Sequence, residues 1–349
     1  MTESVDCVVV GAGPAGLRAA EVLGGAGRDV LVLERNDAVG PKTCAGGLTP
    51  RAVRTMAGWG GPGPTPVRAE VAHISFRGEP LVPLDGESAT LRTVARQDLG
   101  QWQLARAVRA GVEVRTGWGA SQLDLAGHTL RVGERTIRYR NLIGADGSAS
   151  TVRRALGLPS PRAFFACEFN IPVRTARPLH VSADAPRLAN GYWWLFPHTG
   201  YTSLGAGAPK HLVAPALLKQ EVERHAVDCG FTVDGVAFEG ATLEVDHYGC
   251  HFPNGVHLVG DAAGMPSPLT GEGIYPALVS AEAVAQAIID PRAPAPLAMK
   301  GWLQVKRLHA ALMTLSSRRH AREAILMVCA AVARAQEGRR WLSALFIGR

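Results

Sequence analysis

The residues whose types and spacing most clearly indicate chemistry are three glycines near the N-terminus, Gly11, Gly13 and Gly16. The surrounding residues, 5–35, predict a strand, a glycine turn, a helix and a second strand. In such a unit the first glycine permits a tight turn, the second lets the backbone approach a pyrophosphate, and the third lets the helix pack closely on the strand. Pro14 suits the first helical turn, and helix N-terminal amides favour an anion. The segment therefore predicts a dinucleotide-binding site.

The second predicted strand, Val30 to Leu33, is followed at once by Glu34. A carboxylate at this position of the unit can accept hydrogen bonds from a ribose 2′-hydroxyl. A dinucleotide whose 2′-hydroxyl is free, such as FAD or NAD, therefore fits better than NADP.

Two further segments place carboxylates and glycines at the ends of predicted strands. Residues 254–274 predict a buried strand, then Asp261, a proline-containing turn, and a helix opened by Gly271 and Gly273. Earlier in the chain, Asp146 follows another apolar strand. A carboxylate at a strand end suits a ribityl hydroxyl, and a glycine-opened helix N-terminus suits the electron-rich O2 edge of a flavin. The three segments together favour FAD.

The run YWWLFP holds the densest group of large aromatic residues in the chain. Read with the period of a strand, Tyr192, Trp194 and Phe196 share one face, and Trp193 and Leu195 share the other. Spacing alone favours a strand buried on both faces, because apolar runs of this length usually belong to a core. A binding surface on one face is the alternative.

Composition sets the broad class. The chain has 349 residues, 47% of them hydrophobic, and can bury a large core that would ordinarily divide into about two domains. Glu3 and Asp6 precede the short apolar run that starts at Val8, a pattern unlike that of a signal peptide, so we expect a cytoplasmic protein. The six cysteines show neither a CxxC pair nor zinc-type spacing. We therefore expect reduced thiols and no metal.

The positive charge is concentrated at the C-terminus. Residues 297–349 contain ten Lys and Arg against Glu323 and Glu337, while the net charge of the whole chain is +7. The longest apolar run there, Ala324 to Ala333, is too short to span a bilayer, which takes about 20 residues. The tail is either a solvated set of helix faces or a surface for anionic membrane lipids; we expect no nucleic acid partner.

These motifs together resemble a known family. The chain is similar to flavoproteins of the p-hydroxybenzoate-hydroxylase-type fold and, within them, to the geranylgeranyl reductase family. The motifs that carry the resemblance are GxGPAG at 11–16, the Cys-x-Gly-Gly loop at 44–47, Arg96 at the start of a helix, YxWxFP at 192–197, and GDAAG at 260–264 followed by PLTGEGI at 268–274. Two positions depart from the family: Gly100 stands where an acid is usual, and His198 where lysine is common.

The resemblance implies a set of site residues. In that family the aromatic strand roofs the cavity above the flavin, and its aromatics line a tunnel for a long apolar substrate. Taken with the motifs above, the expected FAD contacts are Gly11, Gly13, Ala15, Gly16, Glu34, Arg35, Cys44, Ala45, Gly47, Arg96, Ala120, Asp146, Asp261, Gly271, Gly273 and Ile274. The expected substrate contacts are Tyr192, Trp194, Phe196 and His198.

Cys44 is the one candidate catalytic residue. A thiol in a glycine loop near a flavin could donate a proton or act as a redox partner, but cysteine also fits tight places as a small apolar residue. Both interpretations stay open at this stage.

The expected fold class is α/β, α+β overall: a Rossmann-like FAD-binding domain, an inserted antiparallel-sheet substrate domain, and C-terminal helices. We assign residues 1–66, 95–158 and 245–290 to the FAD-binding domain and residues 67–94 and 159–244 to the substrate-binding domain. Residues 291–349 form the C-terminal helical region.

The resemblance implies an FAD-dependent reductase that saturates carbon–carbon double bonds in an apolar, isoprenoid-like substrate, with FAD bound noncovalently. The electron donor would be NAD(P)H, for which no second glycine fingerprint is visible, or a protein such as reduced ferredoxin. The main alternative is an FAD monooxygenase or halogenase acting on an aromatic or apolar small molecule, because halogenases carry a similar WxWxIP strand. The cytoplasmic enzyme could also contact a membrane peripherally through its basic C-terminal helices.

Overall fold

The computed structural model describes residues 2–61, 63–64, 67–68, 72–76, 79–83, 91–160, 162–183 and 186–348. Within these ranges the helices are α1 (Pro14–Gly25), α2 (Pro50–Ala57), α3 (Arg96–Arg109), α4 (Thr151–Ala155), α5 (Pro215–Asp228), α6 (Ile274–Ile289), α7 (Leu297–Leu315), α8 (Arg319–Val332) and α9 (Gln336–Ile347). The strands are β1 (Thr2–Val10), β2 (Val30–Leu33), β3 (Gly47–Leu48), β4 (Val67–Arg68), β5 (Ala72–Phe76), β6 (Glu79–Pro83), β7 (Arg92–Thr93), β8 (Glu113–Arg115), β9 (Gln122–Asp124), β10 (Thr129–Val132), β11 (Arg135–Gly144), β12 (Ala163–Ile171), β13 (Leu179–Ser182), β14 (Tyr192–Pro197), β15 (Thr202–Pro209), β16 (Phe238–Glu244), β17 (His251–Phe252) and β18 (Val256–Leu258).

The first sheet is built around β1. Its described strands follow the order β17-β18-β11-β1-β2-β8, and β1 runs parallel to both β2 and β11. Val8 and Val9 are fully buried, as expected for parallel strands that are covered on both faces. Val10 pairs with Leu33 on one side and Gly144 on the other. The loops that follow β1, β2 and β11 therefore meet at one edge, which confirms the Rossmann-like fold.

The second sheet carries the aromatic strand. Its described strands follow the order β16-β12-β15-β14-β13-β5-β6, and all neighbours are antiparallel except β13 and β5. One face packs against α5, where the Trp193 ring stacks on His225 with the centroids 4.8 Å apart. Trp193 and Leu195 belong to this core, as their alternation predicts.

A small third sheet, in the order β3-β7-β4, joins the segments that form the two large sheets. Gly47 of β3 pairs with Thr93 of β7, and the Thr93 hydroxyl donates to the carbonyl of Pro197 at the end of β14, at 2.6 Å. The strands of the first large sheet lie within the segments that we assign to the FAD-binding domain, and those of the second within the substrate segments. The exact domain boundaries stay a prediction. Residue 66, at the predicted boundary between the first FAD-binding segment and the substrate domain, lies outside the described residues. Residues 84–90 of the substrate domain also lie outside them.

The C-terminal region contains α7, α8 and α9, and α7 is attached to the loop after β18 by buried polar contacts. The Trp302 Nε1 donates to the Met265 carbonyl at 3.0 Å, and the Lys306 Nζ donates to the Pro266 carbonyl at 2.6 Å. His309 lies 2.8 Å from the Ser267 hydroxyl and 3.0 Å from the Leu345 carbonyl of α9. Burial lowers the pKa of His309 to about 4 and that of Lys306 to about 8. These contacts fix the C-terminal helices on the first sheet.

None of the described helices has both the length and the apolarity needed to cross a membrane. Among the described residues, no group of three or more His, Cys, Asp and Glu side chains is arranged to hold a metal ion.

The packing of Trp193 generates a stability prediction. Trp193 is 4% exposed, so Trp193→Ala should lower the free energy of unfolding by about 3–5 kcal/mol, through lost contacts and the cavity left behind. Urea unfolding followed by circular dichroism measures the change. The control is Val227→Ala on α5, where the side chain is 70% exposed and the expected change is under about 0.5 kcal/mol. A loss below about 1 kcal/mol for Trp193→Ala would contradict the packing described.

Candidate functional site

One continuous cavity of about 700 Å³ lies where the first sheet, the second sheet and the C-terminal helices meet. This volume is within the range of about 300–1,000 Å³ that is usual for small-molecule sites. The first sheet and its loops contribute Pro14, Lys42, Thr43, Cys44, Ala45, Gly47, Thr49, Arg96, Asp261 and the loop residues 269–274. The second sheet contributes Ala166, Glu168, Tyr192, Trp194 and Phe196 among others, and α7, α8 and α9 contribute Leu312, Leu326, Val328, Trp341 and Phe346 among others.

The glycine loop after β1 has the geometry that its sequence predicts. Gly11 has φ +104°, and a Cβ there would lie 2.5 Å from the Ala145 carbonyl oxygen. A Cβ on Gly16 would collide with the Gly11 carbonyl oxygen. A Cβ on Gly13, the N-cap of α1, would enter open space. Two of the glycines are thus required by packing, and the third leaves room beside a helix N-terminus.

Glu34 lies at the end of β2 and is buried. Its two carboxylate oxygens accept hydrogen bonds from the amides of Ala12, at 2.8 Å, and Asn36, at 2.9 Å. Each carboxylate oxygen has a further lone pair that these amides do not use. Glu34 therefore both fixes the glycine loop and keeps capacity to accept a hydroxyl.

Asp146 and Asp261 follow β11 and β18. One oxygen of Asp146 accepts from the amide and the hydroxyl of Thr151, at 2.6 and 2.7 Å. Its other oxygen is buried without a hydrogen-bond partner in the described part of the chain. Asp261 reaches the cavity and lies 3.2 Å from the Lys42 Nζ.

The loop before α6 lines the cavity, and its own amides from Leu269 to Glu272 are hydrogen-bonded within the loop. Gly271, with φ +66°, and Gly273 precede the helix, and no side chain caps its N-terminus. Between them, Glu272 is turned away from solvent and forms an ion pair with Arg51, while Thr49 donates to the same carboxylate at 2.5 Å. The uncapped amides favour an anionic or electron-rich group at this end of the cavity.

The loop Cys44–Gly47 is held from several sides. The Cys44 amide donates to Glu168 on β12 at 2.8 Å, and the Cys44 Sγ accepts from the Gly46 amide at 3.4 Å. The ring nitrogen Nε2 of His198 lies 3.1 Å from the Ala45 carbonyl. Gly46 has φ +71°. The backbone of this loop is therefore fixed at the cavity wall.

The three aromatics on the cavity face of β14 each lie against a glycine. A Cβ on Gly47 would lie 2.7 Å from the Phe196 ring, and one on Gly271 would lie 2.5 Å from the Tyr192 hydroxyl. A Cβ on Gly205 of β15 would collide with the Trp194 indole. The Tyr192 hydroxyl donates to the Thr270 carbonyl at 2.8 Å. The glycines therefore leave room for the three rings at the cavity wall.

The side chain of Arg96 tests whether the site fits the predicted cofactor. It is 9% exposed and lines the cavity beside Pro14, yet its Nε has no hydrogen-bond partner among the described residues. A buried guanidinium normally pairs with an anion. Together with the open space at Gly13 and the uncapped start of α6, this cation fits a dinucleotide with an anionic diphosphate.

The residues that line the cavity do not include nine of the predicted site residues: Gly11, Gly13, Ala15, Gly16, Glu34, Arg35, Ala120, Asp146 and His198. Arg35 is exposed at the end of β2, and Ala120 packs against the core of the first sheet. Asp146 is not among the lining residues. His198 is buried behind the Cys44–Gly47 loop, stacked on Tyr201 with ring centroids 4.2 Å apart, so its side chain supports the loop instead of lining the cavity.

The sequence analysis did not predict three features of the cavity wall: Glu168, Gly205 and the C-terminal helices. Glu168 lines the cavity from β12, and Ser203 of β15 donates to it at 2.6 Å. The carboxylate in an otherwise apolar strand was the available signal for Glu168. Gly205 could have been noticed as a glycine inside a strand, which often marks a close approach. No sequence pattern indicated that α7, α8 and α9 line the cavity, because this depends on how these helices pack against the two sheets.

Comparison with known proteins places this geometry in a family. A family model described as an FAD binding domain matches residues 4–226, more than half of the chain. A digeranylgeranylglycerophospholipid reductase of Methanopyrus kandleri is 31% identical over 315 residues, covering 81% of this chain and 77% of the relative. A menaquinone reductase of Mycolicibacterium smegmatis is 31% identical over 312 residues, covering 78% of this chain and 74% of the relative.

A solved structure shows the same fold. The crystal structure of a geranylgeranyl bacteriochlorophyll reductase-like protein from Thermoplasma acidophilum superimposes with a TM-score of 0.77 at 20% identity and covers 99% of this chain and 97% of that one. The family model identifies the dinucleotide as FAD, and the named relatives are reductases. The chain is an FAD-dependent oxidoreductase and belongs to the geranylgeranyl reductase family.

Proposed function

We propose that the protein reduces carbon–carbon double bonds in a long, apolar, isoprenoid-like substrate. The observation that carries the proposal is the cavity, whose lining extends from Pro14 and the Cys44–Gly47 loop past the aromatic face of β14 to the C-terminal helices. One end offers amides and buried charges, and the rest is lined mainly by apolar side chains. The two relatives support the substrate class, because the compounds in their names both contain isoprenoid chains.

We propose the predicted residues as the FAD site, with roles that follow their positions. Gly11, Gly13, Ala15 and Gly16 would bring the start of α1 to the diphosphate, and Arg96 would pair with its charge. Glu34 would accept from the adenosine ribose, with Arg35, Ala120 and Asp146 near the same edge of the sheet. At the flavin end, Cys44, Ala45 and Gly47 would contact through their backbone, and Asp261, Gly271, Gly273 and Ile274 would bind the ribityl and pyrimidine groups.

When bound and reduced, FAD would supply the hydride for the proposed reaction. The chain's own residues bind and orient the substrate: Tyr192, Trp194 and Phe196 offer an apolar wall, and the C-terminal helices exclude water from it. NAD(P)H or a reduced carrier such as ferredoxin would provide the electrons. Cys44 lies half-buried at the cavity wall and is retained as a candidate catalytic residue for which a packing role is the alternative.

The ribose assignment is tested with Glu34→Ala. We expect FAD affinity to fall by about 1–3 kcal/mol, because the substitution removes a ribose acceptor and frees the Ala12 amide of the glycine loop. Titration of apoprotein with FAD, followed by flavin fluorescence, measures Kd. Glu113→Ala, on the neighbouring strand β8 with its side chain 59% exposed, should keep the wild-type Kd. Unchanged affinity in Glu34→Ala would show that the carboxylate does not contact the cofactor.

The reaction itself is tested without oxygen. Enzyme reduced anaerobically and mixed with polyprenyl lipids should reoxidise, and mass spectrometry should find a product two hydrogen atoms heavier per reduced bond. Trp194→Ala should keep FAD affinity and lose turnover of long substrates, because an indole offers a large apolar contact. Trp193→Ala, on the opposite face of β14, should mainly lose stability.

Reoxidation only after oxygen is admitted, across a panel of isoprenoids, would instead indicate a monooxygenase of the same fold. Equal turnover losses in Trp193→Ala and Trp194→Ala, measured on folded protein, would reject the substrate wall.

We also propose that the C-terminal helices contact a membrane surface at the mouth of the cavity. Leu308, Val328 and Trp341 line the cavity and are 45%, 61% and 59% exposed. Exposed arginines, Arg334 and Arg340, lie on or beside the same helices. Apolar side chains next to cations are typical of peripheral surfaces that bind anionic lipids.

This surface predicts salt-sensitive binding to liposomes. Wild-type protein should cosediment with vesicles that contain anionic lipid and release as salt rises, because screening weakens the attraction. Arg340→Glu with Trp341→Ala should reduce binding severalfold, and Arg138→Glu, exposed on β11, should not. Equal binding to neutral and anionic vesicles would contradict the charge contribution.

A further inference from the structure

Glu168 is a carboxyl group buried in the wall of an apolar cavity. It is 1% exposed and lies on β12, directly opposite Gly205 in the neighbouring strand. Ala166, two residues earlier on the same face, also lines the cavity. Because Gly205 has no side chain, the Trp194 indole lies across β15 and its Nε1 reaches the Ser203 hydroxyl at 3.0 Å. Ser203 in turn lies 2.6 Å from Glu168.

The surroundings of Glu168 favour its neutral form. In the described part of the chain no lysine or arginine pairs with it. Glu239 of β16 is its direct partner across the strand pair, so a second acid shares its side of the sheet. Burial raises the pKa of Glu168, and the charge of Glu239 adds to this effect against the hydrogen bonds from Ser203 and Cys44. Tyr201 and Cys167 also interact electrostatically with Glu168, and its charge raises the pKa of both.

The hydrogen-bond partners can accommodate both forms of the carboxyl. A hydroxyl has one donor and two acceptor sites. When Glu168 is protonated, Ser203 can accept from it and from Trp194 together. When Glu168 is ionised, the Ser203 hydroxyl can turn to donate, and the Cys44 amide continues to donate to the other oxygen. Glu168 can therefore release a proton and keep its hydrogen bonds with Ser203 and the Cys44 amide.

We propose that Glu168 is the proton donor for the alkene reduction; this inference rests on the proposed function. Saturation of a double bond adds a hydride to one carbon and a proton to the other. The carboxyl O–H bond of Glu168 breaks as the second C–H bond forms, and the resulting carboxylate is stabilised by Ser203 and the Cys44 amide. Water restores the proton after turnover.

Other hydroxyl groups nearby suit the role less well. The Tyr192 hydroxyl already donates to the Thr270 carbonyl, and burial raises its pKa. Burial and the nearby Glu168 raise the pKa of Tyr201 to about 12. A carboxyl group is a far stronger acid than either phenol, and general acid catalysis is most effective when the donor's pKa lies near the working pH.

Glu168→Gln tests the donor role, because glutamine keeps the shape and can still accept from Cys44 and donate to Ser203, but cannot release a proton. In single turnovers of anaerobically reduced enzyme, we expect a rate lower by about 10²-fold or more, with FAD affinity retained. Glu168→Asp should recover part of the rate. The matched control, Glu223→Gln, lies on α5 with its side chain 41% exposed and outside the cavity lining and should keep the wild-type rate.

A second readout does not need activity. A carboxyl whose pKa is higher in the folded than in the unfolded protein favours folding fully below the unfolded value, near 4.5, and loses that contribution as pH rises through the folded value. The unfolding free energy of Glu168→Gln relative to wild type should therefore increase with pH above about 4.5, and Glu223→Gln should show a smaller change.

The outcomes separate the two proposals. If wild-type enzyme reduces no alkene, the proposed function fails, and the donor role fails with it although the stability measurement still reports the protonation state. If wild type reduces alkenes and Glu168→Gln does so within about threefold of its rate, the donor role alone is rejected. A stability difference that does not change with pH would also overturn it, since it would show that Glu168 is ionised like an exposed acid.

Discussion

The hydrogen bond from the Cys44 amide to the Glu168 carboxyl joins the two halves of the site. Cys44 belongs to the loop after β2, and Glu168 to β12 of the second sheet, 124 residues further along the chain. A buried carboxyl without a donor would be costly, so the loop must stay close to β12. A second link lies beside it: β7 pairs with Gly47, and the Thr93 hydroxyl of β7 donates to the Pro197 carbonyl at the end of β14. The distance between the cofactor loops and the aromatic wall is set by this junction.

Glycine has two separate uses in this protein. In the loop after β1, Gly11 and Gly16 allow the backbone of the first sheet and of α1 to approach closely. Around the cavity, Gly47, Gly205 and Gly271 come from three different segments, and each leaves room for one aromatic ring of β14. The aromatic wall therefore depends on missing side chains as much as on the rings themselves. Gly100 on α3 likewise allows a close backbone approach, since a Cβ there would lie 2.5 Å from Gly40 Cα.

The C-terminal helices complete the cavity and are coupled to its cofactor end. His309 and Lys306 attach α7 to the loop between β18 and α6, whose following residues line the cavity. On the other side, the ion pair of Arg51 with Glu272 secures the same loop to α2. The loop before α6 is thus held by α7 on one side and by α2 on the other. This arrangement explains how uncapped amides can be presented at a fixed position.

The sequence by itself determined the dinucleotide unit, the strand pattern of YWWLFP and the family, because these rest on short-range spacing: glycines within one turn, and alternation within one strand. Tertiary structure decided the rest. Glu168 and Cys44 are far apart in the chain and meet only when two sheets pack, and His198 looked like a substrate residue until the fold placed it behind a loop. The part of the cavity wall formed by α8 and α9 could not be predicted from a local sequence pattern either. Contacts between distant segments depend on which apolar faces pack against each other. The local sequence pattern of a segment shows that it has an apolar face but not which other face covers it.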